Sequence, residues 1–129
     1  MALRTQKRYF NLPGKNPALP FSDAVLSGKQ LYIAGRLGFK PGTREVPADP
    51  AEEAQLMLDQ VRSVLAEAGM EMNDLVYVQI FCSDVSLFDT FNVVYRRYFS
   101  GDLPARAFIG SGPLVFGARF EIVGIAEKS

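Results

Sequence analysis

Phe120-Glu121-Ile122-Val123-Gly124-Ile125-Ala126 is the stretch on which the fold turns. It is dense in branched and aromatic side chains and holds no proline, so it reads as a strand buried on both faces. Phe120, Ile122 and Gly124 take one face; Glu121, Val123 and Ile125 take the other. Glu121 is the one charge in the run. An unpaired carboxylate in such a place costs several kcal/mol, so the sequence must give it a partner or a task. Fifteen residues earlier, Arg106 follows Pro104-Ala105 at the head of another apolar run. That guanidinium is the candidate to share a site with Glu121, and the two outline a pocket for a small carboxylate and for proton chemistry on it.

Working outward, Lys7 to Leu12 reads as a first strand, followed by a loop rich in Gly, Asn and Pro from Pro13 to Pro20. Ala24-Val25-Leu26 and Leu31-Tyr32-Ile33-Ala34 flank Ser27-Gly28-Lys29-Gln30, a hairpin with glycine in its turn. Pro41-Gly42-Thr43 marks a second turn. A helix opens with Asp49 as its cap, Pro50 at its first position and Glu52 placed to close a capping box. Ala51, Ala54, Leu58, Val61, Leu65 and Ala68 form its apolar stripe, and Gly69 stops it. Leu75 to Phe81 is a strand. Ser86 with Asp89 reads as the cap of a second helix, striped by Phe88, Phe91, Tyr95 and Tyr98 and ended by Ser100-Gly101. Ala105 to Gly110 and Arg119 to Ala126 are the last strands. The order β-β-β-α-β-α-β-β predicts one α+β domain over residues 1–129, with two helices on one face of a mixed, mainly antiparallel sheet. Because the strands are apolar on both sides, the second face is expected to be covered by copies of the same chain.

Composition narrows the chemistry. The chain has 129 residues, 48% hydrophobic and 22% charged, with fourteen basic against fourteen acidic side chains. A neutral chain gives no electrostatic footprint for nucleic acid or an anionic membrane. No apolar run approaches the length of a membrane span, and the start lacks the apolar core of a secretory signal. One cysteine, Cys82, excludes an internal disulfide and suits a reducing, cytoplasmic setting. With no histidine, the Ser-His-Asp and Cys-His catalytic units and His-based zinc sites are excluded. Neither the Walker nor the dinucleotide glycine spacing is present. The expectation is therefore light acid–base chemistry, without metal or cofactor, carried by carboxylates, Tyr, Lys, Cys or water.

Pro104-Ala105-Arg106, followed by Gly117-Ala118-Arg119-Phe120-Glu121-Ile122-Val123-Gly124-Ile125-Ala126, resembles the RidA (YjgF/YER057c/UK114) family. Leu31-Tyr32-Ile33-Ala34-Gly35 and Phe88-Asp89-Thr90-Phe91-Asn92-Val93-Val94-Tyr95 are similar to that family's hairpin return and second helix, so the likeness runs from about Phe21 to Ala126. The resemblance implies a chorismate-mutase-like fold, a homotrimer with pockets between subunits, and cofactor-free hydrolysis of reactive enamines and imines of small carboxylates to 2-keto acids and ammonia. It implies that Arg106 binds the substrate carboxylate, that Glu121 orients water, and that Gly35 faces the pocket, with Phe21, Phe88 and Phe108 lining it. Three departures remove polar groups: Phe21 stands where many members have Tyr, Ala34 where serine is common, and Phe108 where the enamine deaminases have cysteine. They point to a bulkier or less polar substrate.

Plainer roles compete for the same residues. Arg106 is alternatively an ion pair closing a sheet edge. Glu121 is alternatively the partner of Arg119, two residues away on the same strand face, or one half of an interface salt bridge. Cys82 reads as a small core residue, and Arg96-Arg97 as a solvated helix face. As whole functions, a small-carboxylate-binding or regulatory module is the alternative to a deaminase. RNA cleavage, also credited to the family, is disfavoured by the neutral charge and the missing histidine.

Overall fold

The computed structural model describes residues 6–129. Six strands form one sheet: β1 (Lys7–Phe10), β2 (Ala24–Ser27), β3 (Gln30–Arg36), β4 (Leu75–Cys82), β5 (Ala105–Gly110) and β6 (Phe120–Glu127). Two helices, α1 (Pro50–Glu67) and α2 (Phe88–Arg96), complete the order expected from the sequence. The sheet runs β1-β2-β3-β6-β4-β5, and every neighbouring pair is antiparallel except β4 with β5. The last strand is thus inserted between β3 and β4 and buries its own alternation at the sheet's centre.

The helices cover the face that carries Leu31, Ile33, Val78, Ile80, Phe120, Ile122 and Ala126, all buried. From α1 come Ala54, Met57, Leu58, Val61, Val64 and Leu65. From α2 comes Phe91, whose ring centroid lies 5.1 Å from Phe120 and 5.5 Å from Phe108. On the far face Tyr32 and Ile109 are exposed, while Tyr77, Phe81, Val123 and Ile125 are half-buried.

The hairpin turn and the start of α1 follow local chemistry. Gly28 takes the left-handed φ of 62° that the β2–β3 turn requires. Asp49 caps α1 by accepting from the Ala51 N–H at 3.0 Å, and Gly69 closes it with φ 70°. Glu52, however, closes no box and is exposed; the carboxylate that matters is its neighbour Glu53.

Three further boundaries move for physical reasons. β1 ends at Phe10 rather than Leu12, because the Leu12 N–H leaves the ladder to donate to Asp23 Oδ2 at 2.8 Å. Asp84, not the Ser86–Asp89 pair, starts the second helical region, accepting from the N–H and hydroxyl of Ser86. α2 itself ends at Arg96. The next three N–H groups bond to carbonyls three residues back, so the chain tightens before Gly101 turns it.

Candidate active site

Strand register separates the two residues singled out by the sequence. Arg106 pairs with Val78, which pairs with Gly124, whereas Glu121 pairs with Phe81, which pairs with Ile109. Cross-strand partners share a face and successive residues alternate. Arg106 therefore belongs to the helix-covered face and Glu121 to the opposite one. Within one chain they do not meet.

On the helix side, Arg106 is half-buried among aromatic rings. Its guanidinium carbon lies 4.8 Å from the ring centroid of Tyr95, 5.5 Å from Phe108 and 5.7 Å from Phe88. Phe88 and Phe108 meet edge-on at 5.0 Å, which fixes two walls of the cage. Burial lowers the Arg106 pKa, opposed by Tyr95 and reinforced by the like charge of Arg96. Burial also pushes the Tyr95 hydroxyl up to about 12, against the pull of Arg106. Among the described residues no carboxylate or carbonyl accepts from this guanidinium, so the ion pair closing a sheet edge does not form. A cation held by rings with its N–H groups free is suited to a planar anion.

Sequence reasoning missed Asn92. It follows Phe88 by four residues and precedes Tyr95 by three, which puts it on the helix face of the cage. Its Oδ1 and the Tyr95 hydroxyl oxygen are buried without a hydrogen-bond partner. The detectable signal was a polar side chain inside an otherwise aromatic stripe.

On the other face, Glu121 lines a cavity of about 480 Å³. Phe21, Ala34, Leu37, Phe39, Val115 and Phe116 supply most of its apolar wall, and Gly35 and Arg44 also line it. A Cβ on Gly35 would collide with Glu121 Oε2, so only glycine lets the carboxylate lie against that backbone. Gly35 sits in an irregularity of the β3–β6 ladder, where the register shifts between Ile33 and Arg36. Buried Arg36 braces it, its Nε donating to the Ala34 and Gly35 carbonyls at 3.2 and 3.1 Å and its Nη2 to Asp23 Oδ1 at 2.9 Å. Burial raises the Asp23 pKa, but the Leu12 N–H, Arg36 and Lys15 outweigh it and hold the carboxyl below its ordinary value.

Arg119 is not the partner of Glu121. Its Nε donates to Glu53 Oε1 at 2.7 Å, and the N–H groups of Arg119 and Phe120 donate to Glu53 Oε2 at 2.7 and 3.2 Å. The remaining Arg119 nitrogens reach the carbonyls of Ala48 and Pro47. Glu53, fully buried, thus ties the start of α1 to the start of β6. Glu121 is left half-buried, with no ion-pair partner among the described residues. Cys82 is buried in the core, its thiol raised by burial and donating to the Asp84 carbonyl at 3.0 Å. It lies apart from both groups.

The sequence-derived residues therefore fall into two sets. Arg106, Phe88 and Phe108 form the cage on the helix side; Glu121, Gly35 and Phe21 share the cavity on the far side.

Comparisons with known proteins bear on both sets. The family profile described as Endoribonuclease L-PSP matches residues 14–128. A 2-iminobutanoate/2-iminopropanoate deaminase of Bos taurus is 38% identical over 110 residues, spanning 84% of this chain and 80% of that protein. A RutC family protein of Saccharolobus solfataricus is 33% identical over 121 residues, 93% of this chain and 96% of that protein. Among solved structures, the YjgF gene product of E. coli superposes with a TM-score of 0.81 at 31% identity, covering 85% of this chain and 89% of that one. The chain belongs to the Endoribonuclease L-PSP family, the YjgF/RidA family to which its last two strands pointed.

Proposed function

We propose that this protein hydrolyses reactive imines and enamines of small carboxylates to 2-keto acids and ammonia, at sites assembled between subunits of a homotrimer. One observation carries the reading: among the described residues, a carboxylate without an ion-pair partner and a guanidinium without one lie on opposite faces of one sheet. A second copy that covers the Glu121 face with its own Arg106 edge would unite them. The apolar side chains on that face, Tyr32, Ile109, Phe81 and Val123 among them, support such self-association.

In the assembled site, the Arg106 fork would hold the substrate carboxylate through charge-assisted bonds worth about 1.5–3 kcal/mol. Asn92 would give the same half a second polar group. Glu121 would accept a proton from water as the water oxygen bonds to the imine carbon and the C=N π electrons move to nitrogen. Glu121 would return that proton to nitrogen to give the neutral carbinolamine, then carry the hydroxyl proton to nitrogen as the C–N bond breaks, ammonia leaves and the oxygen closes to the ketone. Oxygen is gained from water and nitrogen leaves as ammonia, with no change in oxidation state. The imine is already electrophilic, so a single positioned base suffices. The deaminase names of the mammalian relatives support this reaction.

The test is release of 2-keto acid from imines generated in situ by an amino-acid oxidase, with and without the protein. Acceleration that Glu121→Gln removes is expected; buffer-level rates with every imine would overturn the reading. A binding module with the same pocket is favoured by the apolar residues Phe21 and Ala34 beside Glu121. It would show affinity for 2-keto acids without turnover. The ribonuclease in the family's description has little to work with here, since the chain is electrically neutral and lacks histidine.

A further inference from the structure

The wall of the Glu121 cavity contains a strained aromatic. Phe116 has φ 56° and ψ 26°, the left-handed region that bulky side chains avoid, and it is the only non-glycine with positive φ among the described residues. The turn Val115–Gly117 imposes this, closed by the Ala118 N–H donating to the Val115 carbonyl at 3.1 Å, with Gly117 left-handed as well at φ 68°. Strain of this kind persists where the surroundings hold it and clusters at ligand sites. Here the ring is held from two directions. Phe39 meets it edge-on at 5.6 Å, and the Arg44 guanidinium lies 5.3 Å above it. Yet Phe116 is 55% exposed, so the strained backbone does not serve to bury the ring in the core.

We propose that Phe116, set by Phe39 and Arg44, is a specificity wall, and that the cavity takes 2-imino acids with bulky apolar side chains, of the leucine or phenylalanine kind. The inference rests on the deaminase reading and adds to it the class of substrate. The lining supports it, since Leu19, Phe21, Leu37, Phe39 and Val115 offer no polar side chain to a hydroxyl or amide. The added apolar carbons of a bulky substrate side chain, placed on this wall, should together raise kcat/KM by about tenfold or more.

The experiment compares kcat/KM for imines derived from alanine, leucine, phenylalanine and glutamate, in the wild type and in Phe116→Gly. Glycine suits the left-handed backbone, so this variant should melt at the wild-type temperature or above it and still lack the ring. The wild type should favour the leucine or phenylalanine imine over the alanine imine by about tenfold or more, and Phe116→Gly should bring the ratio toward one. A wild type that prefers the alanine or glutamate imine, or a ratio unmoved in Phe116→Gly, would overturn the proposal. If no imine is turned over, isothermal titration with 4-methyl-2-oxopentanoate and with pyruvate decides separately. Tighter binding of the larger keto acid, lost in Phe116→Gly, upholds the wall while the deaminase reading falls. Equal binding, or none, removes the wall as well.

Discussion

The Arg106 cage and the Glu121 cavity are two ways of presenting a charge. Arg106 stands on a strand of the core sheet, clasped by rings from α2 and β5 that pack on into the core through Phe91. Glu121 is also on a strand, but its surroundings are an irregular ladder, the loop bearing Phe21 and a turn in strained conformation. The cation is thus positioned by packing, and the carboxylate by the Arg36-braced bend at Gly35 and the Cβ that glycine lacks. A family can change the second kind of wall with little disturbance to the core. That fits finding Phe116 there rather than in the cage.

The comparison breaks first under substitution of the charges themselves. Glu121→Gln keeps shape but cannot act as a base, and kcat should fall by about 10²–10⁴-fold. Arg106→Ala should act chiefly on KM, by roughly 10- to 200-fold for a contact worth about 1.4–3 kcal/mol, and Arg106→Lys should restore little because a point charge does not reproduce the fork. Mixing Glu121→Gln with Arg106→Ala and letting subunits exchange sharpens the point. If each site takes Arg106 from one subunit and Glu121 from the next, random assembly should recover about a quarter of wild-type kcat/KM. No recovery in trimers shown by mass spectrometry to be mixed would place both residues in one subunit's site. A mass near that of a single 14.2 kDa chain would remove the shared site altogether.

A stability effect of the next size separates structural from chemical carboxylates. Glu53→Gln leaves Arg119 and two buried N–H groups poorly served, and should cost about 3–5 kcal/mol, lowering Tm by about 10 °C or more. Turnover per folded molecule should change little. The opposite pattern, normal Tm with lost activity, would give Glu53 the role assigned to Glu121.

What the sequence made legible was what lies close along the chain. Asp49-Pro50 before an apolar stripe, Gly28 between two β-rich runs and the alternation of Phe120 to Ala126 each carry their own cause, so the element order could be read. Glu53 with Arg119 and Asp23 with Arg36 join residues far apart in sequence, and no local signal marks them. Glu121 and Arg119 at a two-residue step looked like partners, but Arg119 lies ahead of β6 and turns toward α1. The separation of Arg106 from Glu121 was also hidden. It depends on β4 standing between β5 and β6, which is a matter of topology and not of pattern.

A smaller effect tests the brace under Gly35. The Asp23 carboxyl is held below its ordinary value of 3.8, so its stabilisation is fully present above that pH and is lost as pH falls through the lower folded-state value. Asp23→Asn should lower Tm at neutral pH, and the gap to the wild type should close in acid, below pH 3.8. Because Arg36 would lose the partner that aims it at the Ala34 and Gly35 carbonyls, kcat should fall modestly, with KM for the carboxylate nearly unchanged. A rise confined to KM would tie the brace to the Arg106 half instead.

The smallest effect belongs to Tyr95. Its ring supports Arg106, but its hydroxyl is buried without a partner. Tyr95→Phe keeps the ring and removes an oxygen that gains nothing from burial, so stability should hold or rise by up to about 1 kcal/mol. The pH dependence gives a finer reading. With the hydroxyl pushed up to about 12 in the folded chain and ordinary near 10 when unfolded, ionisation is harder in the folded state, so the wild type loses stability as pH rises from 10 toward 12. The Phe variant should therefore gain on the wild type in Tm across that alkaline window. KM should be the same for both enzymes from pH 6 to 9, since Arg106 needs the ring and not the hydroxyl. If Tyr95→Phe raises KM there while Tm is unchanged, the hydroxyl touches the substrate carboxylate in the assembled site, and the cage is a polar clamp rather than an aromatic support.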